Sequence, residues 1–352
     1  MWQIGLLILT FVLSLGATFL VKKIATYFKI LDYPTGLTSR KIHNHPVPLM
    51  GGAAIAASFF IGLGFLIWQK PNFITHISSG QLLAIFVASL FLMIGGWLDD
   101  KFNLPPIKQI VFPLVSVLIV VVVGVNLKEI TNPLGGKINL LAVSWLGRFI
   151  FVDLIALAWL SGMMYTTKLL DGLDGLVAGL TIIGSAVMGF LSLTEKFYQP
   201  DIALICFVFA VANLGFLFFN FYPAKIFLGE GGSLFTGFIL GVLAIVAGGK
   251  IATALLVMGV AIVDLAAVIV RRLRHKTSPF KGDSGHLHQR LLKIGFSQRQ
   301  VVLLFYCLAI IFGVLTLFLQ SRQKLLALSI LFILVVILII LVDLKNKTYA
   351  AK

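Results

Sequence analysis

About eleven stretches of this chain are long and apolar enough to cross a bilayer: 2–21, 51–68, 81–98, 109–125, 149–167, 176–193, 202–219, 234–249, 251–270, 301–320 and 325–343. A helix needs ~20 apolar residues to span the hydrocarbon core. Several stretches are nearer about 16 to 18 residues, so their edges are soft. Lipid cannot satisfy an open backbone, which leaves helices or a closed barrel. Barrel strands alternate polar and apolar residues, and these runs do not. A content of 59% hydrophobic and 12% charged residues lies outside the soluble globular range. The expected fold is therefore all-α: one polytopic integral membrane domain over residues 1–352, with about ten or eleven transmembrane helices.

The net charge of +15 is no nucleic-acid signal, because the cations sit in short loops and report topology. With the N-terminus outside and eleven spans, 20 of the 28 Lys and Arg residues fall on the inner side and 8 on the outer. That split predicts an outer N-terminus and a cytosolic C-terminus. The first run lacks a charged leader and a small-residue cleavage site, so it reads as a retained span. Cys206 and Cys307 lie within expected spans, which argues against structural disulfides. Pro-Leu-Gly-Gly in the 126–148 loop reads as the turn of a small hairpin.

Only 13 Asp and Glu residues occur, yet Asp99, Asp100, Asp171, Asp174, Glu230 and Asp283 all fall on the expected inner side. In "GGWLDDKFNLPP", Asp99 and Asp100 end the third span. Adjacent carboxylates repel and call for a cation or a shared proton, unless they form a merely solvated helix end. In "DGLDG", Asp171 and Asp174 stand at i and i+3, a spacing that places both on one helix face. The plainer alternative is an aspartate cap on the sixth span. "NFYPAKIFLGEGGSLFTGF" ends one span at Asn220 and surrounds Glu230 with glycines. A Gly-rich turn entering a helix exposes N–H groups to phosphate, and the carboxylate can hold Mg²⁺ beside it.

The largest inner loop carries Arg271, Arg272, Arg274, His286, His288 and Arg290. Its arginines fit positive-inside anchoring. The two histidines with a carboxylate would also suit Zn²⁺, but the oxygen-only acids favour Mg²⁺ or Mn²⁺. The histidines are thus expected on phosphate or a leaving group. The first inner loop adds Arg40, Lys41, His43 and His45, cations suited to anionic head groups. Asp264, near the inner end of the ninth span, is either functional or paired with Arg271 or Arg272. Asp153, nearer the outer face, reads as structural. Acids, a glycine-rich turn, cations and histidines on one face suit metal-assisted phosphoryl chemistry.

In order and spacing, "SRKIHNHPVPLMGG", "WLDD", "DGLDGLVAG", "NFYPAKIFLGEGGSLFTGF" and "HLHQRLLKIGF" resemble the polyprenyl-phosphate N-acetylhexosamine-1-phosphate transferases of the glycosyltransferase 4 family. The resemblance covers roughly residues 32–296. It implies a Mg²⁺-dependent (or Mn²⁺-dependent) membrane enzyme whose site faces the cytosol. Such an enzyme moves a sugar-1-phosphate from a UDP-N-acetylhexosamine to undecaprenyl phosphate and releases UMP. "HLHQR" is closer to the GlcNAc-1-phosphate branch than to the phospho-N-acetylmuramoyl-pentapeptide branch, whose activity is the alternative. Products of the first branch start teichoic acid, O-antigen or other wall glycans.

Three positions depart from the family pattern. Lys168 and Tyr165 stand where it usually has asparagines, and Glu230 stands where it has an aspartate. A charged lysine cannot ligate a metal, but it can neutralise a carboxylate or bind phosphate.

The resemblance implies direct displacement. Asp99 or Asp100 serves the polyprenyl phosphate, and Glu230 holds the metal with those aspartates. Asp171 and Asp174 position nucleotide or metal. Lys41, Lys168, Asn220, Arg271, His286 and His288 contact substrate. A covalent aspartyl route is the mechanistic alternative. A transporter would place ionisable residues near the midplane and often shows inverted repeats, and neither is visible here. A catalytically inactive lipid-phosphate binder is the other rival. The oligomeric state is not encoded legibly, and a homodimer is compatible with the sequence.

Overall fold

The structure, a computed structural model, describes residues 1–34, 45–127, 129–132, 137–140, 150–248, 250–274, 276 and 285–350. Thirteen helices occur among them. In chain order they are α1 (Trp2–Tyr27), α2 (Gly51–Gln69), α3 (Ser79–Phe102), α4 (Pro106–Val122), α5 (Ile150–Leu170), α6 (Leu176–Leu193) and α7 (Pro200–Asn220). Then come α8 (Gly229–Val246), α9 (Ile251–Val257), α10 (Gly259–Arg274), α11 (Leu287–Lys293), α12 (Gln298–Phe318) and α13 (Ser321–Ala350). Their starts follow local chemistry. Ser78 and Gln81 form a reciprocal capping box on α3, as do Ser297 and Gln300 on α12. Pro106 and Pro200 occupy the first turns of α4 and α7, where a missing N–H costs nothing.

Eight of these helices are long and apolar enough to cross a membrane, and α4 is a shorter apolar helix. The 21-residue α5, which carries Asp153 and Lys168, packs against α4 and α8 as a further member of the bundle. The protein is a multi-pass, all-α membrane protein. One expected span departs from the reading above. The stretch 251–270 is not a single helix but the pair α9 and α10, bent by 79°. Gly259 lies at the bend, and Leu331 of α13 packs where a side chain on that glycine would stand.

The central element is α8, nearly all of whose residues are buried. It packs against α5, α3, α2 and α6. In contrast, α1 and α13 turn most of their apolar surface outward, as lipid-facing helices do. Between membrane helices the hydrophobic effect offers no drive, so close association depends on small residues that let backbones touch. A Cβ on Gly52 of α2 would fall onto the Gly232 Cα of α8. A Cβ on Gly96 of α3 would fall onto Gly231. The glycine-rich stretch expected as a phosphate turn is therefore the first turn of α8, and two of its glycines are consumed in helix packing.

Two short ribbons complete the fold. β1 (Leu31–Asp32) pairs antiparallel with β2 (Val47–Pro48), Leu31 opposite Pro48. β3 (Glu129–Thr131) pairs with β4 (Lys137–Asn139), forming the hairpin expected in that loop. Its Pro-Leu-Gly-Gly turn lies outside the described residues. Both cysteines are unpaired.

Replacing Gly52 or Gly96 with alanine should force α2 or α3 away from α8. Overpacking of this kind costs about 1–3 kcal/mol. Thermal unfolding in detergent should show a lowered midpoint for either variant, whereas alanine at Gly5, which has open space around it, should leave the midpoint unchanged.

Candidate active site

At one end of the bundle a cavity of about 810 Å³ opens between the ends of α3, α5, α7 and α8 and the β1–β2 ribbon. Six carboxylates line it: Asp32, Asp99, Asp100, Asp171, Asp174 and Glu230. Lys168 is the one lysine or arginine among the described lining residues. The segments that build it are tied to one another through the backbone. The N–H groups of Gly51 and Gly52 donate to the carbonyls of Phe227 and Leu228, and that of Phe227 donates to Pro48. The first inner loop and the glycine-rich stretch thereby share one hydrogen-bonded seam.

Most of these carboxylates are committed to the fold. Asp99 Oδ1 accepts from the Leu104 N–H (2.8 Å) and from Gln109 Nε2 (3.0 Å), so it stabilises the α3–α4 turn. Asp100 Oδ1 accepts the Glu230 N–H at 3.0 Å, an orphan amide in the first turn of α8. Gly229 precedes it with φ +76, and a Cβ there would also crowd the Asp100 carboxylate. Asp174 Oδ2 accepts the Ala224 N–H at 2.9 Å. Among the described residues no donor meets the Asp171 carboxyl. Burial pushes its pKa up to about 8, helped by the negative charges of Glu230, Asp100 and Asp174.

The Lys168 ammonium is ion-paired with Glu230 Oε1. It also donates to Gln109 Oε1 at 3.3 Å and lies 5.8 Å from the centre of the Tyr165 ring. The three positions that depart from the family pattern thus meet at one point.

Several expectations change in detail. Asp171 and Asp174 do not share a helix face, because residues 171–175 form a turn between α5 and α6. Gly175, with φ +81, takes the cap position of α6 instead of an aspartate. Both aspartates still reach the cavity. Asn220 lines it too, but its amide is spent on structure: Oδ1 accepts from the Gly175 N–H (3.1 Å) and Nδ2 donates to the Ile226 carbonyl (2.9 Å).

His286, His288 and Arg271 do not line the cavity. His286 Nδ1 bonds Asp264 Oδ2 at 3.0 Å, and the Leu287 N–H donates to Asp264 Oδ1 at 2.8 Å. Asp264 thereby holds the histidine segment with both oxygens, and not Arg271 or Arg272, the pairing that was one of its two expected roles. His288 is buried, stacked on His286 at 5.6 Å, with Nε2 close behind Gly172. Burial pushes its pKa down to about 4, so it is neutral at physiological pH. Arg271 Nη2 donates to the Gly285 carbonyl at 3.1 Å. Lys41, with Arg40, His43 and Asp283, lies outside the described residues. Sequence reasoning missed Gln109, Asp32 and Gln298. A solitary acid in the first inner loop, just after the first span, was the one available signal, for Asp32.

A diphosphate could not enter six carboxylates without an accompanying cation. The donors are all oxygen, which suits Mg²⁺ or Mn²⁺. Among the described residues no three Asp, Glu, His or Cys side chains converge into a closed metal cage. That fits an open site, in which Mg²⁺ takes one or two carboxylates and fills its shell from water and substrate phosphate.

Fold and cavity together define a multi-pass membrane protein with a carboxylate-lined polar site at one end of its helices. The sequence model described as glycosyl transferase family 4 matches residues 82–248. The chain is 31% identical over 330 residues to the probable undecaprenyl-phosphate N-acetylglucosaminyl 1-phosphate transferase of Bacillus subtilis, covering 92% of this chain and 87% of that protein. It is 32% identical over 321 residues to the decaprenyl-phosphate N-acetylglucosaminephosphotransferase of Mycobacterium leprae (84% and 78% covered). To the undecaprenyl-phosphate alpha-N-acetylglucosaminyl 1-phosphate transferase of Yersinia pestis it is 29% identical over 315 residues (85% and 79%). The chain belongs to glycosyl transferase family 4.

The raised pKa of Asp171 has a consequence for stability. The folded state holds this proton up to about pH 8, whereas an unfolded aspartate releases it near ~3.9. The stabilising contribution is full below the lower value and is lost as pH rises through the upper one. In EDTA, Asp171→Asn should flatten the fall in thermal midpoint between pH 4 and 8 relative to the unaltered protein.

Proposed function

We propose that this protein transfers N-acetylglucosamine-1-phosphate from UDP-N-acetylglucosamine to undecaprenyl phosphate, releasing UMP. The product is a lipid-linked pyrophosphoryl sugar, the first membrane intermediate of a surface glycan. The observation that carries the reading is the gathering of Asp99, Asp100, Asp171, Asp174 and Glu230 around one cavity at a membrane-helix end, in a chain similar to polyprenyl-phosphate transferases. The positive-inside distribution supports setting that end on the cytosolic side of the cell membrane, where nucleotide sugars occur.

The geometry divides the work among the acids. Asp171 lacks a donor among the described residues and has its pKa pushed up to about 8 by burial, which suits a group that shares or exchanges a proton with the acceptor phosphate. An oxygen of undecaprenyl phosphate then bonds to the β-phosphorus of the nucleotide sugar. The bond from that phosphorus to the bridging oxygen breaks, and UMP leaves. Asp100 and Glu230 would hold Mg²⁺ or Mn²⁺, while Asp99 is drawn into the α3–α4 turn. When bound, the ion supplies positive charge against the diphosphate oxygens. Asp174 fixes the Ala224 backbone at the cavity wall, and Asn220 holds the Gly175 amide at the start of α6. His286 and His288 act from behind, bracing Gly172 and the aspartate turn.

The test is UMP release by the purified protein in detergent, from undecaprenyl phosphate and UDP-N-acetylglucosamine with and without Mg²⁺. Metal-dependent release is expected, and Asp171→Asn should reduce it by roughly 10²–10⁴-fold. No release with any UDP-N-acetylhexosamine, from protein that remains folded, would refute the reading and favour a lipid-phosphate binder.

A further inference from the structure

The Lys168–Glu230 ion pair is unusual in its setting. It places a fixed monovalent cation on a carboxylate that a divalent ion would otherwise use. The pair is largely enclosed, with side-chain exposures of 21% for Lys168 and 16% for Glu230. It is supported on both sides: Gln109 accepts a hydrogen bond from the ammonium, and the Tyr165 ring lies beneath it. Gln109 is itself anchored, donating to Asp99 Oδ1 and to the Leu104 carbonyl, each at 3.0 Å. An ammonium has three donors. Gln109 takes one, the same ammonium pairs with Glu230, and Lys168 lines the cavity, where it can also meet a ligand.

Two consequences follow from charge alone. A divalent ion entering the cavity without an anion meets the Lys168 cation at close range and must compete for Glu230. An entering diphosphate does the reverse, because its oxygens attract the ammonium and release Glu230 to the ion. We propose that Lys168 is a specificity-determining residue. Its ammonium keeps free divalent ions off Glu230 and yields that carboxylate to them together with a nucleotide diphosphate, which draws the ammonium away. This rests on the nucleotide-sugar reading for the identity of the diphosphate, though not for the exclusion of the free ion. The device makes metal and nucleotide binding mutually reinforcing, as linkage requires.

The experiment is Mn²⁺ binding to the full-length protein in detergent, by calorimetry or by the electron-spin signal of free Mn²⁺, with and without UDP as the probe. The unaltered protein should bind Mn²⁺ weakly alone and more tightly with UDP. Lys168→Gln should bind Mn²⁺ alone at least ~tenfold more tightly and show a smaller gain from UDP. Lys168→Arg keeps the charge and should behave like the unaltered protein, which separates charge from a general disturbance of the fold. Glu230→Gln on the Lys168→Gln background should remove the gain. Unchanged or weaker Mn²⁺ binding by Lys168→Gln would overturn the proposal, as would weak binding by Lys168→Gln together with tight binding by Lys168→Arg. Tighter Mn²⁺ binding by Lys168→Gln with no UDP binding by any variant would uphold the exclusion of free ions and overturn the nucleotide-sugar reading.

Discussion

The contact on which the site depends is backbone against backbone: the first turn of α8 lying directly on α2 and α3. Only glycine permits it, at Gly52 and Gly96 on one side and Gly231 and Gly232 on the other. Because α3 comes that close, Asp100 reaches the orphan amide of Glu230. Because α2 comes that close, its first amides bond to the carbonyls of Phe227 and Leu228. Three chain segments distant in sequence are thereby locked at one membrane-helix end. In lipid this is an economical arrangement, since close packing and hydrogen bonds hold helices together where hydrophobic burial gives no advantage.

The same closeness creates an electrostatic problem. Carboxylates that share a cavity destabilise one another, and each must find a partner or keep its proton. The structure resolves this unevenly. Asp99 and Asp174 bond backbone amides, Asp100 caps α8, and Glu230 takes the Lys168 ammonium. Asp171 is left without a donor among the described residues and retains its proton to about pH 8. The unevenness is informative. Acids already committed to the fold have fewer lone pairs for a ligand, so the capacity to act on one is greatest in Asp171.

Spans were legible in the sequence because their signal is long and one-dimensional. Each of the eleven apolar stretches contains helix, and the break within 251–270 was hidden because Met258 and Gly259 are as apolar as their surroundings. Which acids gather was legible too, since positions at span ends sort by membrane face. How they gather was not. The i, i+3 spacing of Asp171 and Asp174 implied a helix face, but Gly172 and Gly175 let the chain turn, and convergence comes from the loop. The glycines around Glu230 looked like a phosphate cradle because close helix packing and anion binding both require glycine. Gln109 carried no signal at all: an amide inside an apolar run discloses its partners, Asp99 and Lys168, only in three dimensions.

The histidine segment shows why a motif and a contact are different things. His286 and His288 stand in a run that sequence alone assigns to phosphate, yet both turn towards protein. Asp264 grips His286 and the Leu287 amide from α10, directly after the bend that redirects this helix. His288 then fills the space behind Gly172, where a larger residue on the aspartate turn would collide with its ring. A neutral, buried imidazole is well suited to that task, being flat and free of a charge that would disturb the neighbouring carboxylates. The bend in the ninth span, the Asp264 grip and the bare Gly172 form one chain of support running from lipid-facing helix to aspartate turn. Loss of any one of them would shift Asp171 and Asp174 without touching a ligand, which is reason enough for histidines in this segment to be as exacting as residues inside the cavity.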